Sequence, residues 1–448
     1  VANTGSGSQD GTSCDNAWYG WTGINWDNMS DGDTLHICDT LYPIHDIGIQ
    51  HSNITLTGDG VGKIDFSGHH AALKTYAWYD GAGHHATNVV IKDLEVFGSD
   101  YVNVYLTAAD ETDGTFNKVI HCEVHDLQST DNTRSLIISR GNHNTIKDSV
   151  IYNGPGDMIY QRGNDFTFEN NTIFGITNSG SSGRGDGLQC SGSHTGYIIK
   201  YNHIDISSFY EPKQCIIIQG NNATISYNWL KSQNYGTETT HSNVVYVSGT
   251  DENIHHNRIM NGYYGIWLSS ASGVVRYNMV SGLNRGGIAV TNRSHDLGVI
   301  NNTVFNFYDN VSGDSCYGIY VSGDSSNIEV KNNIMAGSPD YGLWSNVAID
   351  NDYNLYFGNL SDNTHNISMG SHSIVGNPFL NGDGHIDNYH SSSINSGTSI
   401  SGIHDKAYPE NDIDLQYIVN SPDIGCDEFH IPPKIKSGLI RREKDLPR

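Results

Sequence analysis

The stretch Phe168-Glu169-Asn170-Asn171-Thr172-Ile173 decides the architecture. Its pattern is an apolar residue, two polar residues, Asn, one further residue and an aliphatic one. The phrase returns around Asn202, Asn228, Asn257, Asn278, Asn302 and Asn333, at steps of 31, 26, 29, 21, 24 and 31 residues. Looser copies lie at 91–96, 120–125 and 146–151, and 52–57 is a candidate for the start. Between copies comes a short strand-like run ending in small polar residues: 136–139, 158–161, 188–191, 216–219, 245–248, 266–269, 288–291 and 319–322. Apolar residues alternate within it, so one set points inward and the other outward.

Two or three short strands per irregular period narrow the choices. A propeller blade needs four strands over about 40–45 residues. Helical repeats need a 3.6-residue apolar stripe, which is missing, and leucine is not the recurring residue. What remains is a coil of parallel strands, each pairing with the next turn at about 4.8 Å. The fold class expected is all-β, a right-handed parallel β-helix. The recurring Asn then stacks on itself inside a bend, each amide satisfied by its neighbour, as in other parallel arrays. About ten to eleven coils give a rod roughly 50 Å long, with capped ends. Residues 1–50 are expected to form an N-terminal cap and first strands, 51–356 the coils, 357–430 further coils and a fold-back cap, and 431–448 a linker or tail.

Composition agrees with many short strands and tight turns. Of 448 residues only 36% are hydrophobic and 16% charged, the balance being rich in Gly, Asn, Ser, Asp and Thr. A net charge of -25 argues against a nucleic-acid reader, which should be basic, and against an anionic membrane surface. No run of about 18 apolar residues suggests a membrane span. The opening Val1-Ala2-Asn3-Thr4-Gly5 has neither a charged nor an apolar leader region, and reads as the mature start of a secreted chain. Seven cysteines occur without a CxxC pair. Cys14 and Cys38 suit a staple in the N-terminal cap in an oxidising compartment. Cys190 and Cys215 fall at matching places in successive repeats, either as stacked buried thiols or as a disulfide.

Two local phrases carry a resemblance. Gly185-Asp186-Gly187-Leu188-Gln189 resembles the Asp-Gly-Ile-Gln phrase of many bacterial β-helix proteins, with Arg184-Gly185 where those often carry a His two before the Asp. Ser421-Pro422-Asp423-Ile424-Gly425-Cys426-Asp427-Glu428 resembles the Pro-Asp-Ile-Gly-Ala-Tyr-Glu phrase that closes many such helices, with Cys-Asp in place of Ala-Tyr. Over about residues 30–430 the chain resembles the pectate-lyase-like superfold. That resemblance implies a carbohydrate-active protein. The superfold includes polysaccharide lyases, glycoside hydrolases, epimerases and phage tailspikes, so fold does not decide reaction. The polygalacturonase set of Asn-Thr-Asp, Asp-Asp, Gly-His-Gly and Arg-Ile-Lys is missing, as is the Tyr-Gly-x-Asp-Pro-His phrase of mannuronan epimerases.

Superposing the strand-like runs gathers polar side chains from the middle coils on one face. These are Arg134 and Arg140; Asp157 and Arg162; Arg184, Asp186 and Gln189; Glu211, Lys213 and Gln219; His241 and Tyr246; then Tyr264 and Trp267. Solvated ion pairs on an exposed face are the plain alternative and add little stability. Like charges on neighbouring coils, however, call for an anion, and an acidic sugar chain would accept bidentate Arg contacts. For β-elimination, Arg184 or Lys213 is the expected base. Arg134, Arg140 and Arg162 clamp substrate, with Gln189, His241, Tyr246 and Trp267 as further contacts. The resembling lyases imply calcium, for which Asp157, Asp186 and Glu211 offer oxygen ligands.

If the reaction is hydrolysis, Asp157 and Asp186 become the carboxylate pair, at about 5–5.5 Å for retention or about 6.5–9.5 Å for inversion. Aligning on Gly163-Asn164 instead sets Asp157 opposite Gly187, and a one-residue slip reverses a face. The acidic run Asp110-Glu111-Thr112-Asp113-Gly114 has calcium-like ligands without EF-hand spacing. Adjacent His pairs (His69 and His70, His84 and His85, His255 and His256) are expected to point to opposite faces of a strand. The expected function is a secreted, monomeric lyase of an acidic polysaccharide, with no nucleic-acid or membrane partner. A glycoside hydrolase and a non-catalytic, tailspike-like glycan binder are the alternatives. Residues 175–183 and 207–212 would wall the enzyme's groove.

Overall fold

The computed structural model describes residues 1–79, 82–107, 115–129, 131, 133–177, 185–207, 214–233, 243–308, 315–399, 411–414, 416 and 422–428. The chain winds as a right-handed parallel β-helix of three sheets with 13, 14 and 13 strands. Each coil gives one short strand to each sheet, as Thr167–Glu169, Thr172–Phe174 and Leu188–Cys190 do. Thirteen coils exceed the ten to eleven expected, and at about 4.8 Å each they make a rod of roughly 60 Å. The extra coils lie at the two ends, where Thr34–His36 opens the first sheet and Asp350–Asp352 closes it, both outside the span of the repeated phrase. In the first sheet the aligned central residues face the interior: Ile146, Phe168, Ile199, Ile225 and Ile254 are all fully buried.

The bend between first and second sheets explains the repeated phrase. The residue before each ladder Asn is left-handed: Asn170, Tyr201, Tyr227, His256, Tyr277, Asn301, Asn332 and Tyr353 have φ between 50° and 59°. That conformation costs roughly 1–2 kcal/mol for an L-residue. The Asn that follows points inward, and its amide offsets the cost. Nδ2 of Asn171, Asn202, Asn228, Asn257, Asn278, Asn302 and Asn333 each donates to Oδ1 of the next Asn at 2.9–3.1 Å. Asn354 ends the series, one coil beyond the sequence phrase. The left-handed tyrosines turn outward and stack, Tyr201 on Tyr227 with ring centres 5.1 Å apart.

Cys14 and Cys38 form a disulfide, whereas Cys190 and Cys215 are buried free thiols. One expectation fails at His255 and His256, whose Nδ1 atoms meet at 2.8 Å. His256 is not extended but left-handed, with φ of 55°, and this turns its ring back toward its neighbour. Burial, with His256 and Arg276 adding to it, pushes His255 down to about 3; burial, with Arg276, pushes His256 down to about 4 against its hydrogen bonds to the Asn411 and Asp412 backbone. No helix among the described residues is long and apolar enough to cross a membrane.

Beyond Tyr356 the strands Asp362–His365 and Ile374–Val375 continue the third and second sheets. The chain then returns along the outer flank of the second sheet, where Ile413, Ile424 and Cys426 pack on Met279, Phe305, Ile334 and Leu355. The Pro422-Asp423-Ile424-Gly425 phrase therefore lies on the flank of the rod. Gly425 has φ of 110°, its N–H donates to the Asn332 carbonyl at 2.7 Å, and a Cβ there would sit 2.6 Å from Ile334. Only glycine meets both demands.

Candidate active site

The outer face of the third sheet carries the residues expected to act on substrate. Strand register aligns Ile137, Ile159, Leu188, Ile216, Val245 and Ile266 on successive coils. Two of the runs read from sequence, 136–139 and 158–161, thus begin one residue early. With the observed register Asp157 lies directly opposite Asp186, not Gly187. Arg140 sits beside Arg162 on the next coil. The outward position following the aligned residue forms a single row along the rod: Tyr105, Ile138, Tyr160, Gln189, Ile217, Tyr246, Trp267, Ala289, Tyr320, Trp344 and His365.

The cations lean on this row. The Arg140 guanidinium carbon lies 5.7 Å from the Tyr105 ring centre, and that of Arg162 lies 5.8 Å from Tyr160. Among the described residues Arg140 has no carboxylate partner, and its Nε is buried without a hydrogen-bond acceptor. Arg134 is different. It lies outside the strands, over the Tyr101 ring at 4.7 Å, with Nε 3.1 Å from Asp131. The structure therefore brings Arg140, Arg162, Gln189, Tyr246 and Trp267 to one face and sets Arg134 at its margin.

Asp157 and Asp186 are 1% and 4% exposed. Oδ1 of Asp157 accepts the N–H groups of Gly185 and Asp186 at 3.2 and 3.3 Å, and Oδ1 of Asp186 accepts that of Gln214 at 2.9 Å. Each carboxylate thus holds the backbone of the following coil, where the chain enters the third sheet. Arg184, Glu211, Lys213 and His241 lie outside the described residues, as does the acidic run 110–114. In the chain, Arg184 and Lys213 precede Asp186 and Gln214 by two residues and one.

At the N-terminal end of the same face, a cavity of about 520 Å³ opens between the cap and the first coils, lined by Trp21, Trp26, His45, Lys74 and Tyr76. Sequence reading missed this wall because nothing in the cap repeats. It also missed Tyr105, Tyr160, Tyr320 and Trp344, although each directly follows the aligned strand residue and was legible as outward-facing.

Calcium takes six to eight oxygen ligands. The described residues offer at Asp157 and Asp186 two carboxylates already bonded to backbone N–H groups, which is not such a cage. A different trio, His385, Asp414 and Asp427, is arranged so that it could hold a metal ion. It lies where the returning C-terminal segment meets the second sheet. Nη2 of Arg258 stands 2.9 Å from Asp414 there, so a cation already occupies the cluster, and it reads as an ion-pair anchor.

No protein-family model matches the sequence, and no curated protein matches it. Solved structures share its fold at low identity. An alginate lyase, AlyF-OU02, in complex with G6 is 13% identical with a TM-score of 0.54, covering 77% of this chain and 83% of that one. A PL6 alginate lyase in complex with a trisaccharide is 12% identical with a TM-score of 0.50, covering 75% and 82%. XylC in complex with xylose is 11% identical with a TM-score of 0.52, covering 85% and 86%. The chain spans 62% of the length of a tailspike protein that it also matches. The chain is a right-handed parallel β-helix that shares its fold with these two alginate lyases and with XylC.

Proposed function

We propose that this protein is a secreted polysaccharide lyase that cleaves an acidic, uronic-acid polysaccharide by β-elimination along the outer face of the third sheet. The observation that carries this reading is Arg140 beside Arg162, the former with no carboxylate partner among the described residues, in a chain of net charge -25. Like charges on adjacent coils are unfavourable unless an anion joins them. A uronate carboxylate is such an anion, and Arg binds it in the bidentate fashion that fixes orientation. The two alginate lyases of like fold support the same choice, since alginate is a polymer of uronic acids.

The chemistry follows from that neutralisation. With its carboxylate held by Arg140 and Arg162, the sugar's C5–H becomes acidic enough to be removed. A base, Arg184 or Lys213 in its neutral form, takes the proton. Lys213 is the easier to tune, because burial and cationic neighbours lower a lysine's pKa. The electron pair left on C5 forms the C4–C5 double bond, the C4–O bond breaks, and the departing oxygen gains a proton. Gln189 and Tyr160 flank the sugar. No step here runs through a metal.

One observation favours a second reading. Asp157 and Asp186 face each other on adjacent coils, whose backbones are about 4.8 Å apart, near the about 5–5.5 Å that separates the carboxyls of a retaining pair. Against it, both are buried and committed through Oδ1 to backbone N–H groups. Digestion of uronic-acid and neutral polysaccharides, with ultraviolet absorbance and reducing ends followed separately, tests the choice. Elimination gives an absorbing unsaturated end. Saturated products carrying one oxygen from labelled water would establish hydrolysis and move the catalytic role to Asp157 and Asp186, and no product from any polymer would leave a binding protein.

A further inference from the structure

The third-sheet face does not end at the cations. Over its last six coils the outward row reads Tyr246, Trp267, Ala289, Tyr320, Trp344 and His365. A parallel row beside it holds Tyr264, Gly286, Tyr317 and Tyr341. The rings meet both across and within coils. Tyr320 and Trp344 stack at 4.6 Å, Tyr317 and Tyr320 lie 4.9 Å apart, and Tyr264 meets Trp267 edge-on at 4.7 Å.

The middle coil shows how this floor is made. Gly286 and Ala289 stand where both neighbouring coils carry large rings. The Tyr264 ring lies over Gly286, so close that a Cβ there would come within 2.6 Å of it. Ala289, though outward-facing, is fully buried beneath the rings. Small residues thus let the neighbouring aromatics lie down and close a surface without a gap. At its edge Arg285 donates from Nη1 to the Tyr263 hydroxyl, its guanidinium 5.4 Å from that ring.

Two contrasts give the surface a purpose. On the second sheet, the apolar flank over the same coils is covered by the returning chain. Here the described contacts of the face are largely ring on ring, and Tyr320 and Trp344 remain half-exposed. The floor is also continuous with the cationic zone on one straight row, with Arg285 five coils, about 24 Å, beyond Arg162.

We propose that this aromatic floor, from Tyr246 to Trp344 with Arg285 at its edge, is a second binding zone for the same acidic polysaccharide, gripping sugars remote from the bond that breaks. It rests on the functional reading above and deepens it. Aromatic faces take the apolar faces of sugar rings, and Arg285 takes a carboxylate. The consequence is a preference for length. Polymers reach both zones, while di- and trisaccharides reach only one. Remote binding of this kind can be spent at the reacting centre.

The test compares binding of a uronic-acid polymer and its di- and trisaccharides by titration calorimetry to the wild type, Tyr246→Ala, Trp344→Ala, Tyr320→Ala and Arg140→Ala. Each lost ring should weaken the polymer by roughly 2–10-fold, the range aromatic contacts span, and leave the short fragments unchanged. Arg140→Ala should weaken both. Trp344 and Tyr320 support each other, so their thermal midpoints are read alongside. Tyr246, which makes no ring contact with a described neighbour, provides the variant least apt to disturb the fold. If polymer and fragments bind the wild type and Arg140→Ala weakens them while all three ring variants bind as before, the floor is not a binding zone. If the wild type binds no acidic saccharide of any length, the functional reading itself fails.

Discussion

Asn257→Ala tests the internal ladder most directly. Asn257 is fully buried and makes five hydrogen bonds through its amide. Its Nδ2 donates to the carbonyls of Ile225 and His255 and to Asn278 Oδ1, at 2.8, 3.0 and 2.9 Å. Its Oδ1 accepts the backbone N–H of Asn228 at 3.1 Å and that residue's Nδ2 at 2.9 Å. Alanine removes all of these. Asn278 Oδ1 keeps the Asn257 backbone N–H, and Asn228 Nδ2 keeps the Ile199 carbonyl. What is orphaned is the Asn228 backbone N–H and one of its amide hydrogens. At about 1–3 kcal/mol per unsatisfied buried donor, the loss should be about 2–6 kcal/mol. In urea this lowers the midpoint by an amount on the order of 1 M with the slope retained. Because a coiled array can open locally, hydrogen exchange should also quicken at the Asn228 amide and not at Asn333, three ladder steps further along. Asn257→Asp adds a sign. It keeps an acceptor for Asn228 but turns its second oxygen toward the Ile225 carbonyl and Asn278 Oδ1, both acceptors. Its folded pKa should be raised, so stability falls as pH rises above about 4. An unchanged midpoint together with unchanged exchange at Asn228 in the alanine variant would refute the ladder's energetic role.

Arg140→Ala and Arg162→Ala should each cut kcat/KM on a polyuronate by roughly 10–150-fold, the worth of a charged hydrogen bond, with an unchanged far-ultraviolet CD spectrum. The exposed Arg293→Ala serves as control, and full activity in both site variants would move the site elsewhere. The C-terminal segment should loosen at alkaline pH. Asp414 and then Asp427 push His385 up to about 9, so its contribution is complete below the ordinary histidine value and fades as pH rises through about 9. Burial, then Asp423, pushes Glu428 up to about 8, so its cost grows as pH rises from the ordinary carboxylate value toward about 8. Limited proteolysis should cut this segment faster at pH near 9.5 than near 6, and His385→Gln should flatten the difference. Equal rates at both would dismiss the anchor. Finally, a thiol reagent should find no reactive cysteine in the native protein and five in denaturant, because burial raises Cys122, Cys190, Cys215 and Cys426. A thiol that reacts in the native state would contradict that burial.

The sequence by itself determined the coil. An Asn that recurs after a left-handed residue is a local requirement: the bend needs that backbone, and the buried amide needs a copy of itself one coil away. Both demands are written in single residues, so Asn171 to Asn333 could be read without a structure. So could the outward direction of Tyr246 and Trp267, since alternation fixes it. Tertiary structure decided what depends on register and return. The opposition of Asp157 and Asp186 turns on a one-residue alignment, which loops of unequal length between strands conceal. The carboxylates' bonds to backbone N–H groups follow from that alignment. Gly286 and Ala289 look unremarkable in the chain, and only stacking between larger neighbours makes them the low point of an aromatic floor. The pairing of His255 with His256 follows from a turn that a strand pattern hides. The contact of Arg258 with Asp414, 156 residues away, joins segments that no periodicity relates. Short-range conformational need leaves a trace at every repeat, whereas packing between distant segments leaves none.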